Sequence, residues 1–250
     1  MISPLAYVDA SAKLGANVTV HPFAYIDKNV EIGDDCEIMP HVSIMSGTRM
    51  GKRNRIFNGA VIAAEPQDFN YKGDDTIVEI GDDNVIRENV VINRATNSGG
   101  KTVIGNGNFL HEGVHVSHDT HIGNHSVFGY GSKISGNCMI EDYVIFGGNV
   151  LVSQGCRVGT WSMTQTGCRF RKDVPPYIVA ALEPTTYYGV NSVGMSEKIV
   201  KHISHAYRII YQGNTSIFDA LLMIKDQVPM SDEIQHIIDF ISASKLGIIK

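Results

Sequence analysis

From Val8 an apolar residue recurs at every sixth position: Leu14, Val20, Ile26, Ile32, Ile38, Ile44, Met50, Ile56 and Ile62 follow without a gap. The same phase resumes at Ile80, Ile86 and Ile92, then at Ile104, and ends at Phe170. Of the 28 positions it marks between 8 and 170, 24 are apolar, the exceptions being Asp68, Asp74, Ser98 and Thr164, so chance is excluded. A period of six is neither the 3.6 of a helix nor the 2 of a lone strand. It fits very short strands joined by tight turns, three to a triangular coil of about 18 residues, the signature of a parallel β-helix. Coils of this kind stack at the strand spacing of roughly 4.8 Å.

Two positions before each aliphatic residue sits a mostly small one, as at Ala6, Ala12, Val18, Ala24, Val30 and Val42. All four cysteines, Cys36, Cys138, Cys156 and Cys168, fall on that inward position and are expected as buried packing residues. The pattern breaks at 64–76, "AEPQDFNYKGDDT", and at 95–102, "ATNSGGKT". Both are polar and glycine-rich, so they read as loops thrown outside the coil, where functional groups collect. After "DVPPY" (173–177) the repeat stops. "SEKIVKHISHAYRIIYQ" then places Ile199, Ile203, Tyr207 and Ile210 on one helical face, and Ser216 and Ser231 suit the N-caps of two more helices. The expected organisation is an all-β prism over 1–191, with external loops near 64–76 and 95–102, and a C-terminal α-helical domain over 192–250. Exposed flat sheet faces call for cover, and a homotrimer is the expected solution.

Net charge is −5 and the basic residues are scattered, so no footprint for nucleic acid is present. No apolar run approaches the roughly 18–20 residues that span a bilayer, so stable membrane insertion is not expected. "MISPLAYVDA" lacks the basic-then-apolar order of a signal peptide, and a soluble, cytoplasmic protein is expected.

The stretch "LHEGVHVSHDTHIGNH" (110–125) holds five of the ten histidines. A metal needs three or four ligands converging within about 2.1 Å of one ion. Neighbours across coils are 18 apart, and no histidine has another at that distance. No metal site is therefore expected. His111, His121 and His125 read as surface residues. His118 differs, because Gly136 and Gln154 follow it in one column, 18 and 36 residues on. An imidazole beside a glycine N–H and a side-chain amide can remove a proton while a backbone donor stabilises an oxyanion, which suits acyl transfer from a thioester.

Together the repeat, "PQD", "GDDNVIRENVVINRAT", "HVSHD", "DVPPY", "YGVN" and "HAYRIIY" resemble, nearly end to end, the acyl-carrier-protein–UDP-N-acetylglucosamine O-acyltransferase family, the first enzymes of lipid A synthesis. The resemblance implies the left-handed form of the parallel β-helix. It also implies His118 as general base, Asp119 orienting it, and the Gly136 N–H holding the thioester oxyanion. His115 and Asp68 would position the sugar, Gln154 would line the donor region, and Asn191 the nucleotide region. The donor would be a 3-hydroxyacyl chain on the phosphopantetheine of acyl carrier protein, the acceptor a UDP-sugar, with no further cofactor.

The sequence departs from the family's pattern at several places. Asn70, Asn93, Asn137 and Ser153 replace a lysine and three histidines, and an arginine-bearing "KRRGF" segment is missing between "GVNSVGM" and "SEKIV". Arg94, Lys72 or Lys198 could take over phosphate contacts. The ruler position for acyl length is Thr166, with Trp161 nearby. A paralogue acting on another nucleotide-sugar or amino-sugar, and a non-catalytic trimeric scaffold, remain as alternative readings.

Overall fold

The computed structural model describes residues 1–181 and 185–250. Among them, short strands assemble into three sheets of nine, eight and ten strands. Through Phe170 consecutive strands belong to different sheets and each pairs with the strand one coil away, so the chain winds as a three-sided parallel β-helix. The hexad residues point inward: Ile26, Ile38, Ile44, Ile56, Ile62, Ile86 and Ile92 are fully buried, and so are their small partners Val30, Val42, Ala60 and Val90. All four cysteines are free and buried, and burial pushes the Cys138 thiol up to about 12 and Cys156 to about 11.

Register follows the eighteen-residue coil. Tyr7 pairs with Tyr25, and His115 with Lys133. Val61 pairs instead with Val91, and Glu79 with Val103. The excess, twelve and six residues, is whole hexads looped outside between the strands Val61–Ala64 and Ile77–Ile80 and between Val91–Asn93 and Lys101–Ile104. Insertions of whole hexads leave the inward phase unchanged, and only so can they be tolerated, since a one-residue slip would turn the core outward.

Some inward positions are polar and are satisfied as a ladder. Asn84 donates from its backbone N–H and its Nδ2 to Asn54 Oδ1, at 2.9 and 3.0 Å. The N–H of Asn108 donates to Asn84 Oδ1, and that of Ser126 to Asn108 Oδ1, both at 2.9 Å.

Beyond the repeat, Ile178–Ala181 extends one sheet in parallel and Thr186–Val190 adds to it antiparallel. The hexad spacing carries no trace of this pair, because an antiparallel return is not part of the coil. Three helices follow: α1 (Glu197–Gln212), α2 (Ile217–Gln227) and α3 (Asp232–Ser242). Ser196, Ser216 and Ser231 cap them, each hydroxyl accepting a backbone N–H of the first turn. Ile203, Tyr207 and Ile210 form the buried stripe of α1, and Tyr207 Oη donates to the Pro176 carbonyl at 2.5 Å. From α3, the Phe240 carbonyl accepts from Arg157 at 3.1 Å while its ring lies 4.0 Å from that guanidinium. The helices are thus stitched to the last coils.

Candidate active site

His115 and Val116 form a two-residue strand, and the chain turns immediately after it. His118 lies in that turn and is only 5% exposed. Asp119 follows with a φ of 57°, a left-handed conformation that aspartate tolerates better than most side-chain-bearing residues. The bend brings its carboxylate back against the preceding ring: His118 Nδ1 lies 2.9 Å from Asp119 Oδ2. The same oxygen accepts from Thr96 Oγ1 at 2.7 Å and from the Thr96 N–H at 3.2 Å. The Asp119 N–H is held in turn by Thr102 Oγ1 at 2.9 Å. An ionised carboxylate only accepts, so the shared proton belongs to Nδ1, and Nε2 carries the lone pair.

One coil on, Gly136 sits against the imidazole. A Cβ there would lie 2.4 Å from His118 Cε1 and 2.5 Å from Nε2, so glycine is required for the ring to occupy its place. Among the described residues nothing accepts from the Gly136 N–H, while its carbonyl accepts from the Gly155 N–H at 3.0 Å. From the outer loop, Asp68 Oδ2 faces His118 Nε2 at 3.4 Å. Asp68 is fixed by its own loop, Oδ1 accepting the Asn70 N–H at 2.7 Å.

His115 Nε2 is 2.7 Å from Asn93 Oδ1, and Asn93 Nδ2 donates to the Glu65 carbonyl at 2.6 Å. The amide orientation makes Oδ1 the acceptor, so His115 carries its proton on Nε2. Burial, with Lys133 and His118 nearby, holds the His115 pKa below the usual histidine range. A cavity of about 290 Å³ opens between these groups, lined by Asp68, His115, Ser117, His118, Gly136 and Gln154 with Gln67, Lys133 and Ser135.

Of the seven residues singled out from sequence, Asp68, His115, His118, Gly136 and Gln154 line one cavity, and Asp119 stands behind it against the His118 ring. Asn191 does not line it. Its Nδ2 donates to the Trp161 carbonyl at 2.8 Å and its Oδ1 accepts the Val193 N–H at 3.2 Å. Thr96 and Lys133 were not anticipated. Thr96 lies in an aperiodic loop and left no signal, whereas Lys133 stands 18 residues after His115 and was open to the same column arithmetic. Of the cations expected to serve phosphate, Arg94 is committed to the Ala63 carbonyl, Glu65 and Tyr71. Lys72 Nζ donates to the Phe69 carbonyl at 2.9 Å, and Lys198 is exposed on α1.

The family model described as "Udp N-acetylglucosamine O-acyltransferase; Domain 2" matches residues 173–249, and the bacterial transferase hexapeptide model matches 101–136. The acyl-[acyl-carrier-protein]–UDP-N-acetylglucosamine O-acyltransferase of Xanthomonas axonopodis pv. citri is 41% identical, over 100% of this chain and 98% of its own. That of Myxococcus xanthus is 37% identical over 81% of each.

The chain belongs to this O-acyltransferase family.

The UDP-N-acetylglucosamine acyltransferase of Bacteroides fragilis superposes with a TM-score of 0.98 at 51% identity, each chain covered completely. The Francisella novicida enzyme does so at 0.96 and 35%, over 100% of this chain and 94% of that one. The fold is the left-handed parallel β-helix with a C-terminal helical domain. As a member of this O-acyltransferase family the protein is an acyltransferase. Within the family, Asn93 occupies a place where the resemblance called for histidine, and here it holds the proton of His115.

Proposed function

We propose that this acyltransferase moves a 3-hydroxyacyl chain from the phosphopantetheine thioester of acyl carrier protein to the 3-hydroxyl of UDP-N-acetylglucosamine, opening lipid A biosynthesis, with His118 as the general base. The observation that carries the reading is the His118 ring, with its proton held at Nδ1 by Asp119 and its Nε2 presented to a cavity beside a free Gly136 N–H. The acceptor hydroxyl gives its proton to Nε2 as its oxygen bonds to the thioester carbonyl carbon. The electron pair displaced onto the carbonyl oxygen is met by the Gly136 N–H. When that pair returns, the carbon–sulfur bond breaks and the pantetheine sulfur takes the proton from Nε2, leaving ester, free thiol and neutral histidine. Asp68 stands across the cavity, where it can accept from a neighbouring sugar hydroxyl, and His115 and Gln154 bound the space on the strand side.

The working unit of this reading is a cytoplasmic homotrimer with sites between subunits. A cavity of about 290 Å³ is at the lower end of what encloses a small ligand, so a second chain is needed to wall in a nucleotide-sugar and an acyl chain. Phe69, beside Asp68 in the outer loop, is fully exposed, an arrangement that suits burial against a neighbour. Four unpaired thiols suit a reducing compartment, and no helix among the described residues is long and apolar enough to cross a membrane. A second reading, in which the same chemistry serves a different sugar acceptor, is favoured by the commitment of Arg94 and Lys72 to internal partners.

Purified protein given 3-hydroxyacyl carrier protein and a panel of UDP-sugars decides between them, the product being read by mass. UDP-N-acetylglucosamine should gain one acyl group. His118→Ala should slow that transfer by roughly 10²–10⁴-fold with its melting curve and assembly kept. Transfer to another acceptor alone would support the second reading, and more than about a tenth of wild-type rate in His118→Ala would remove the base from the mechanism.

A further inference from the structure

Adjoining the catalytic cavity lies a second groove of about 480 Å³, lined by Lys133, Ser135, Leu151, Val152, Ser153, Arg169 and Arg171. Lys133 and Ser135 line both. The groove climbs the sheet that carries His115: His115 pairs with Lys133, Lys133 with Leu151 and Leu151 with Arg169. At roughly 4.8 Å per coil, Arg169 stands about 10 Å above Lys133. Arg171 projects from the corner column that begins at Ser117 and passes through Ser135 and Ser153.

Three cations therefore line this groove, and no carboxylate does. Elsewhere the chain pairs its cations with acids, as at Arg53 with Asp82 and Asp83, Arg55 with Glu37, Lys52 with Asp34 and Lys101 with Glu79. Among the described residues neither the Arg169 nor the Arg171 guanidinium has a hydrogen-bonding or ionic partner, and Lys133 Nζ has only the Gly113 carbonyl, at 2.5 Å. A protein of net charge −5 has thus gathered unpaired cations beside its reacting atoms. Guanidinium forks match phosphate oxygens in shape and charge, and both substrates of the proposed reaction carry phosphate some distance from the reacting atom.

Resting on that proposed function, we infer that the Lys133–Arg169–Arg171 groove is a phosphate-binding subsite of this enzyme. The phosphate is either the diphosphate of the acceptor or the phosphodiester of the donor's pantetheine arm.

The test is steady-state kinetics on the Arg169→Gln/Arg171→Gln variant, with Lys225→Gln, an exposed change on α2, as the control for loss of a surface cation. The double variant should raise KM about tenfold or more for one phosphate-bearing substrate, the loss expected for charge-assisted hydrogen bonds, with kcat little changed. If the rise is in the carrier-protein donor and disappears with a phosphate-free acyl-pantetheine, the groove holds the donor's phosphodiester. If it is in UDP-N-acetylglucosamine and persists with that donor, the groove holds the diphosphate. Unchanged KM for both substrates, an equal rise in Lys225→Gln, or a rise that tracks loss of assembly would overturn the inference. Titration calorimetry of UDP and of phosphopantetheine separates it from the proposed function. A wild-type protein that transfers nothing would sink that function, yet weaker binding of either phosphate by the double variant would still uphold the subsite.

Discussion

The Asp119 carboxylate receives three donors, from His118 Nδ1, Thr96 Oγ1 and the Thr96 N–H. All three meet at Oδ2, and a carboxylate only accepts whichever way it turns. In Asp119→Asn the amide can instead turn its NH₂ to that place and donate to the lone pair of Nδ1, which fixes the ring proton on Nε2 and removes the base. The expected result is a fall in kcat of about 10²–10⁴-fold, the range for losing a general base, with KM for the acceptor nearly constant and the melting temperature close to wild type. A rate within tenfold of wild type would mean that the carboxylate does not set the tautomer. At this scale the sequence was legible where the coil supplied the geometry. His118, Gly136 and Gln154 share a column, so eighteen-residue arithmetic put them together. Thr96 shares no column with Asp119. It reaches the carboxylate because the outer loop folds back, and loop trajectories leave no period to read. Asn191 was placed by resemblance alone, and its amide is spent on Trp161 and Val193.

Elements are joined by contacts that periodicity foretells only in part. The caps Ser216 and Ser231 and the buried stripe of α1 could be read directly, because helix ends and faces are local properties. The docking of α3 onto the prism could not be, since it unites residues 95 apart: His236 Nε2 meets Glu141 Oε2 at 2.8 Å. Glu141 Oε2 also accepts the Thr160 N–H at 2.8 Å. The Glu141 carboxylate raises the His236 pKa above its ordinary 6.5, helped by Asp239 and opposed by burial and Arg157. Asp142, Asp232 and Glu233 line the same depression. Because the folded value lies above the unfolded one, the stabilisation is fully present below about 6.5 and is lost as pH rises through the folded value. His236→Gln keeps a donor but no titratable charge. Its melting temperature should fall furthest behind wild type near pH 6 and converge on it as pH rises through the folded value. A constant gap across that range would show that the imidazole contributes shape and not charge.

For the whole molecule the hexad fixes a prism whose core is complete within one chain. The core residues are buried without help from a neighbour, which is why the repeat alone disclosed a parallel β-helix, though its hand came from the resemblance. The proposed trimer would leave a weaker mark in the sequence, because outward positions carry no phase. The structure adds what composition could not: Phe69 stands fully exposed in the loop that delivers Asp68 to His118. Burying a phenylalanine stabilises by about 1.5–3 kcal/mol, so leaving it in water beside a catalytic cavity is a cost that a partner subunit would remove. Closed cyclic assembly predicts a species of about 82 kDa, three times the 27.3 kDa chain. Sedimentation velocity at micromolar concentration should find it as the main component. Phe69→Ser should leave the fold of the prism unchanged by far-ultraviolet circular dichroism, because that side chain touches none of the core. It should weaken transfer, through poorer placement of Asp68, and shift the assembly towards smaller species. A stable monomer in the wild type would refute the assembly, and a fully active, fully trimeric Phe69→Ser would show that the loop closes its cavity without a neighbour.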